Sequence, residues 1–149
     1  MRIVIQRVTR ASVSIEGRVE SAIEKGMMVL LGVGYADTDD NIDWLVKKTI
    51  NLRIFDDSEG VMNLSVKDID GSILVVSQFT LMASCKKGNR PSYIHAASPD
   101  VSVPLYEAFC KQLSEAIGKP VLTGVFGADM QVELVNDGPV TIVIDSKDK

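Results

Sequence analysis

Between Gly26 and Gly32 the chain runs Met27-Met28-Val29-Leu30-Leu31 without a polar residue. A short apolar run bounded by glycines, with no face left for water, specifies a central strand buried on both sides. A sheet built around such a strand needs cover above and below. With 149 residues, 46% of them hydrophobic, the chain can supply that cover from one core without metals or disulfide staples. One domain, residues 1–149, is the expectation.

The rest of the pattern fits around that strand. Residues 2 to 8 alternate Ile3, Ile5 and Arg7 against Val4, Gln6 and Val8, and Ala11 to Ile15 forms a second run that meets Arg18 to Ile23 across the turn-like Glu16-Gly17. Helical spacing begins at Asp39, where Ile42, Leu45, Val46, Thr49 and Ile50 share a face up to Leu52, behind Asp37 and Thr38 as candidate N-caps. A second helix is predicted over Val103 to Ile117, with Ser102 before it, Pro104 in its first turn, and Gly118 and Pro120 closing it. Ser72 to Leu81 reads as a strand running into a loop from Met82 to Tyr93. Val121–Phe126, Met130–Val135 and Val140–Ile144 read as three further strands. The sum is α/β: a β-rich single domain with a mixed sheet curled towards a barrel and two main helices covering one face.

Composition narrows the function. No run approaches the roughly 18 apolar residues a membrane span needs, and Met1 leads directly into Arg2-Ile3-Val4-Ile5, so a cytoplasmic protein with no membrane partner is expected. Cys85 and Cys110 stand far apart outside any C-x-x-C pair and read as reduced thiols. The single histidine, His95, lacks the company that hydrolytic zinc sites draw on, so neither a metal nor another cofactor is expected. A formal charge of −4 excludes a protein that coats nucleic acid non-specifically, since that mode displaces many counterions. It leaves room for a local patch, and Lys86-Lys87-Gly88-Asn89-Arg90 is the candidate; its ordinary reading is a solvated loop.

There is no G-x-S-x-G elbow, phosphate-binding G-x-x-x-x-G-K-[ST] loop or H-E-x-x-H helix. Gly32-Val33-Gly34 lacks the third glycine of a dinucleotide fingerprint, Asp37 standing in its place, and His95 near Ser92 and Cys85 is sequence proximity rather than a catalytic pair. Two segments are harder to dismiss. Ser77-Gln78-Phe79-Thr80-Leu81 sets a hydroxyl, a carboxamide and backbone amides at the end of an apolar strand; the ordinary reading is locally satisfied polar groups. Asn136-Asp137-Gly138-Pro139-Val140-Thr141 separates two strands and reads most simply as a hairpin turn.

Together, the two segments resemble the S-Q-F-T-L and N-x-G-P-V-T motifs of the D-aminoacyl-tRNA deacylases. The similarity extends to Met1–Val8, to Gly88-Asn89-Arg90-Pro91-Ser92-Tyr93 and to Thr123–Met130, covering nearly the whole chain in order; Lys87 stands in a loop that is often richer in arginine in the family. The resemblance implies a homodimer acting on the aminoacyl-tRNA acceptor end, with active sites at the subunit interface, each completed by the Gly-Pro loop of the other subunit. It implies a cis Gly138-Pro139 bond whose two carbonyls grip the substrate α-ammonium, so that an L side chain meets backbone, a D side chain points away and glycine is accepted.

It further implies that the backbone amides of Phe79 and Thr80 stabilise the oxyanion and that Gln78 orients the substrate or the terminal adenosine. Ser77, Phe126 and Met130 would border the pocket, Arg7 would anchor the Gly138-Pro139 loop, and Lys86, Lys87 and Arg90 would meet RNA phosphates. Either Thr80 or the neighbouring ribose 2′-hydroxyl would drive the attack; the assisted route is preferred because Thr80 has no evident general base in sequence. Rival readings are a nucleic-acid-binding module without catalysis and a general esterase indifferent to chirality.

Overall fold

The computed structural model describes residues 1–149. The elements in order are β1 (Arg2–Ile15), β2 (Arg18–Ile23), β3 (Gly26–Gly32), α1 (Asp39–Asn51), β4 (Phe55–Asp56), β5 (Met62–Leu64), β6 (Ser72–Ser77), α2 (Pro99–Ile117), β7 (Leu122–Thr123) and β8 (Gln131–Asp145). A 3-10 turn, Phe79–Met82, follows β6, and another, Ser146–Asp148, follows β8.

β1 organises the sheet. It is one strand rather than two, and along one edge it pairs antiparallel first with β3 and then with β2, while β8 runs antiparallel along its other edge. Glu16 and Gly17 both take positive φ, 51° and 76°, which gives the tight β1–β2 hairpin the twist its strands require. β3 continues into the parallel strands β6 and β7. The hydroxyl of Ser21 on β2 donates to the Thr123 carbonyl on β7 at 2.6 Å, which brings the sheet's ends together and leaves a mixed sheet nearly closed into a barrel. Gly26 is required where β3 meets β6, since a Cβ there would lie 1.8 Å from the Ser72 carbonyl oxygen.

The apolar run is buried on both faces, as its sequence demands. Met27, Val29 and Leu31 pack with Ile3, Ile5, Ile73 and Val75 under the helices, against Ile42, Leu45, Phe109 and Leu113. Met28 faces the other way, joining Val8, Val13, Ile23, Leu74 and Val76 inside the curl. In α1 the Asn41 side-chain oxygen accepts from the Thr38 N–H at 2.8 Å, and Asp39 and Asp40 sit in the first turn, where negative charge is favourable. No helix is long and apolar enough to cross a membrane.

Four expectations about boundaries fail for identifiable reasons. α2 starts at Pro99 behind Ser98, not at Val103. Ser98-Pro99 is itself an N-cap and first-turn proline, and Ser102 lies inside the helix, donating its hydroxyl to the Ser98 carbonyl at 3.0 Å. Pro104, past the first turn, offers no N–H to the Asp100 carbonyl, and because Asp100 is exposed water can serve that acceptor. The strand from Ser72 stops at Ser77, after which the chain tightens into the 3-10 turn. Only Leu122–Thr123 of the span Val121–Phe126 is strand, and β4 with β5 forms a small hairpin the sequence did not announce.

The fourth failure concerns Asn136–Thr141, which is not a hairpin turn. The two strands predicted on either side of it are halves of β8, and both pair with β1. Gln6 pairs with Thr141 and Val8 with Asn136, so Arg7 alone lies opposite the segment Asp137 to Val140. The surplus residues leave the ladder as a bulge.

Candidate active site

β6 carries the first half of the site. Its parallel ladder with β3 extends one step beyond Ser77, the Gln78 N–H donating to the Leu31 carbonyl at 2.8 Å. The backbone then tightens, with Leu81 N–H donating to Gln78 O and Ala83 N–H to Thr80 O. The amides of Phe79 and Thr80 precede the first of these bonds, so the turn's own ladder gives them no acceptor. The Gln78 carboxamide donates to the Thr80 hydroxyl oxygen at 2.5 Å, and no imidazole, carboxylate or amine is hydrogen-bonded to Thr80.

A cleft of about 320 Å³ opens beside this turn, bordered by Ser77, Gln78, Phe79, Phe126, Asp129, Met130 and Val132 among others. Five of the residues singled out from sequence, Ser77, Gln78, Phe79, Phe126 and Met130, therefore meet at one place. Gly124 leaves room for Met130, since a Cβ there would lie 2.4 Å from the Met130 sulfur. Phe79 is 55% exposed and takes the edge-on contact of Tyr93, with ring centroids 5.0 Å apart.

Behind the cleft stands Tyr106, which sequence reading left as one more residue of α2. Its ring meets Phe126 edge-on at 5.6 Å, and its hydroxyl donates to the Val75 carbonyl at 3.0 Å, so one buried side chain braces both a cleft wall and the strand leading to Gln78. Burial pushes its phenol well above the ordinary range and pushes the neighbouring Cys110 thiol up to about 12, keeping both protonated. Asp129 is the only ionisable side chain on the cleft and was also missed; the stretch Thr123–Met130 contained it, but nothing in its spacing marked it.

The β8 bulge is the second half. Arg7 is nearly buried and donates through Nε to the Asp137 carbonyl at 2.8 Å, and through Nη1 to the Ile54 carbonyl at 2.7 Å and the Asp56 carboxylate at 3.2 Å. Asn136 closes the base of the bulge, accepting from Val140 N–H at 2.9 Å and donating to the Thr141 hydroxyl at 3.0 Å. Each polar residue of Asn136-x-Gly138-Pro139-Val140-Thr141 thus has a place. Gly138 stands at φ 134°, where L side chains are strained, and a Cβ there would sit 3.0 Å from Arg7 Nη2. The Gly138-Pro139 peptide is cis, and both residues are exposed.

Within one chain, the cleft's border includes neither Gly138, Pro139 nor Arg7. Thr80, within the turn, does not border the cleft, and Lys86, Lys87 and Arg90 project on a loop whose base is tied by paired backbone bonds between Ser84 and Ser92, at 2.8 and 2.9 Å. β8 exposes Val132, Val135 and Val143 beside the bulge, with its second edge unpaired.

Fold and site define a class: α/β proteins in which a nearly closed mixed barrel carries a cleft of mixed polarity at the end of β6 and, farther along the outer strand β8 whose start borders that cleft, an anchored glycine-proline bulge. The family model described as D-Tyr-tRNA(Tyr) deacylase matches residues 4–145, and the chain belongs to that family. A protein of Bacteroides fragilis (strain YCH46) named D-aminoacyl-tRNA deacylase is 66% identical over 149 residues, which cover 100% of this chain and 99% of that protein. One of the same name from Porphyromonas gingivalis (strain ATCC BAA-308 / W83) is 64% identical over the same span.

Among solved structures, one titled c-Myc DNA Unwinding Element Binding Protein superposes with a TM-score of 0.93 at 43% identity, covering 97% of this chain and 98% of that one. A probable eukaryotic D-amino acid tRNA deacylase superposes at 0.82 with 20% identity over 96% of this chain and 97% of that one, a likeness of fold alone.

Proposed function

We propose that this chain, as a homodimer, hydrolyses the ester between a D-amino acid and the 3′ end of tRNA, at sites where the cleft of one copy meets the Gly138-Pro139 bulge of the other. The enzyme class follows from the family and its full-length relatives: a hydrolase of D-aminoacyl-tRNA. The observation that carries the two-copy site is the separation of the motifs. Cleft and bulge both face solvent, do not meet within one chain, and stand beside an exposed valine face and an unpaired strand edge.

In this reading the carbonyls of Gly138 and Pro139 accept the substrate's α-ammonium, and the bulge, held from behind by Arg7, lies where an L side chain would project. A D side chain points away, and glycyl-tRNA is a second substrate because glycine has nothing to clash. The amides of Phe79 and Thr80 donate to the oxyanion of the tetrahedral intermediate. Gln78 orients the ester, and Ser77, Phe126 and Met130 enclose the terminal nucleoside. Lys86, Lys87 and Arg90 meet phosphates.

The water is activated with help from the ribose 2′-hydroxyl rather than by Thr80. The support is that the Thr80 oxygen is occupied by Gln78 and no proton acceptor stands beside it. The cellular role is proofreading of translation in the cytoplasm.

The test is amino-acid release from matched D-tyrosyl-, L-tyrosyl- and glycyl-tRNA by purified protein. Fast release of the D and glycyl forms with slow release of the L form is the expected result; equal D and L rates would remove the exclusion argument. The name of the 0.93 structural neighbour favours a second reading, nucleic-acid binding without turnover, and no release of any form would establish it over the first.

A further inference from the structure

Phe79 opens the 3-10 turn on the cleft; Met82 closes it on a different depression. This one is about 330 Å³ and is bordered by Met82, Lys86, His95 and Lys147. It continues into a smaller one of about 150 Å³ that shares Met82, His95 and Lys147 and reaches Tyr35 and Ile94. Three residues of 3-10 backbone at about 2 Å each put roughly 6 Å between the ends of the turn. The two sites are neighbours along one short element; the hydrolytic chemistry proposed above uses only the first, and of the second it uses Lys86 alone, as a phosphate contact.

The charge of the second depression is not cancelled from within. Arg2 on its border is committed: its Nε and Nη2 donate to Asp145 at 3.0 and 2.7 Å, and Nη1 donates to the Leu81 carbonyl at 2.6 Å, which fixes the turn to the end of β8. The one carboxylate, Asp37, is taken by the Met1 ammonium and, at 2.6 Å, by the Gly34 N–H. Lys86 and Lys147 form no ion pair with any acidic group of the chain. A protein of net charge −4 therefore keeps two free ammonium groups and an imidazole around this hollow. On its rim Tyr35 is 60% exposed, offering a flat aromatic face.

Free cations next to an open aromatic ring are the recognition chemistry of single-stranded nucleic acid, phosphates against ammonium groups and an unstacked base against the ring. We propose that this depression is the subsite for the phosphodiester and base immediately 5′ of the terminal nucleotide, so that the turn Phe79–Met82 separates two consecutive nucleotides of the RNA 3′ end. The assignment rests on the function proposed above and extends it from the terminal nucleoside to the strand that carries it.

Two substrates and one probe test it: D-tyrosyl-tRNA, D-tyrosyl-adenosine, which lacks the 5′ phosphodiester, and an uncharged single-stranded RNA ending in CCA. Lys147→Ala should raise KM for the tRNA without changing kcat, and should make the fall of log(kcat/KM) with log salt shallower by about 0.7, the share of one phosphate contact on a single strand. Tyr35→Ala should raise the same KM about 5- to 150-fold, the range of one lost stacking contact.

Both variants should leave D-tyrosyl-adenosine hydrolysis at the wild-type rate, and Lys111→Ala, at an exposed lysine on α2, should change neither the KM for the tRNA nor the salt slope. Wild-type KM on the tRNA, or an equal loss on both substrates, would overturn the subsite. If the wild type hydrolyses nothing, the deacylase reading falls, while weaker binding of the CCA probe by Lys147→Ala and Tyr35→Ala would still support the subsite and unchanged binding would refute it.

Discussion

Gly138→Ala tests whether the bulge of one copy serves the cleft of another. The new methyl group would lie 2.9 Å from Val140 Cγ2 and 3.0 Å from Arg7 Nη2, at a φ of 134° that L side chains rarely adopt. Such strain costs about 1–3 kcal/mol. Expressed as loss of the active bulge shape, at about 1.36 kcal/mol per factor of ten, it lowers kcat/KM by about 5- to 150-fold. The same cost of about 1–3 kcal/mol, read as stability, corresponds to a fall in melting temperature of at most about 3–9 °C, so the variant remains folded at assay temperature.

The informative assay pairs this variant with Gln78→Ala, which damages the cleft and leaves the bulge intact. Co-expressed with different affinity tags and purified through both, the mixed dimer contains one site with intact cleft and bulge and one with neither. By symmetry it should show about half the wild-type kcat, although both parent homodimers are crippled. A mixed dimer no more active than the mean of its parents would refute the reasoning, because cleft and bulge would then have to serve within one chain. A monomer by light scattering at assay concentration would refute it as well.

Thr80→Ala should keep turnover within about tenfold of wild type, whereas loss in the range of about 10²–10⁴ with substrate binding intact would identify Thr80 as a participant in proton transfer or attack. Tyr106→Phe removes the hydroxyl that braces Val75 and should cost about 1 kcal/mol, read as a fall of about 3 °C in melting temperature, together with a rise in KM through the loosened Phe126 wall; loss confined to kcat would contradict the bracing role. Four carboxylates are held below the usual range: Asp57 by the N–H groups of Val61 and Glu59, Asp68 by Ser65, Asp70 by Lys119, and Asp145, against the upward pull of burial, by Lys147 N–H and Arg2. Since the unfolded chain takes up these protons first, their stabilisation is complete above about pH 3.9 and is lost as pH falls from there through the depressed folded values, and Asp68→Asn should flatten that acid limb in a series of thermal melts.

The sequence by itself determined the elements whose signal is local. Met27 to Leu31 could only be a covered strand, Ile42 to Thr49 only a buried helix face, and Glu16-Gly17 only a tight hairpin, because period and turn chemistry are properties of neighbouring residues. The resemblance of Ser77–Leu81 and Asn136–Thr141 to one family pointed to the family whose model matches residues 4–145. Tertiary structure decided what those residues touch. Asn136–Thr141 carries the glycine and proline of a turn, and only pairing of both flanks with β1 makes it a bulge opposite Arg7. The same partnership gives Arg7, the polar interruption in an apolar strand, its reason for burial. Nothing in the sequence singled out Tyr106, because its bond to Val75 crosses from a helix to a strand distant in sequence, and Asp129 reached the cleft through a chain reversal with no periodicity of its own. Periodicity records which face of an element is buried; which groups then meet depends on how distant elements are laid together, and that is settled only when the whole chain is packed.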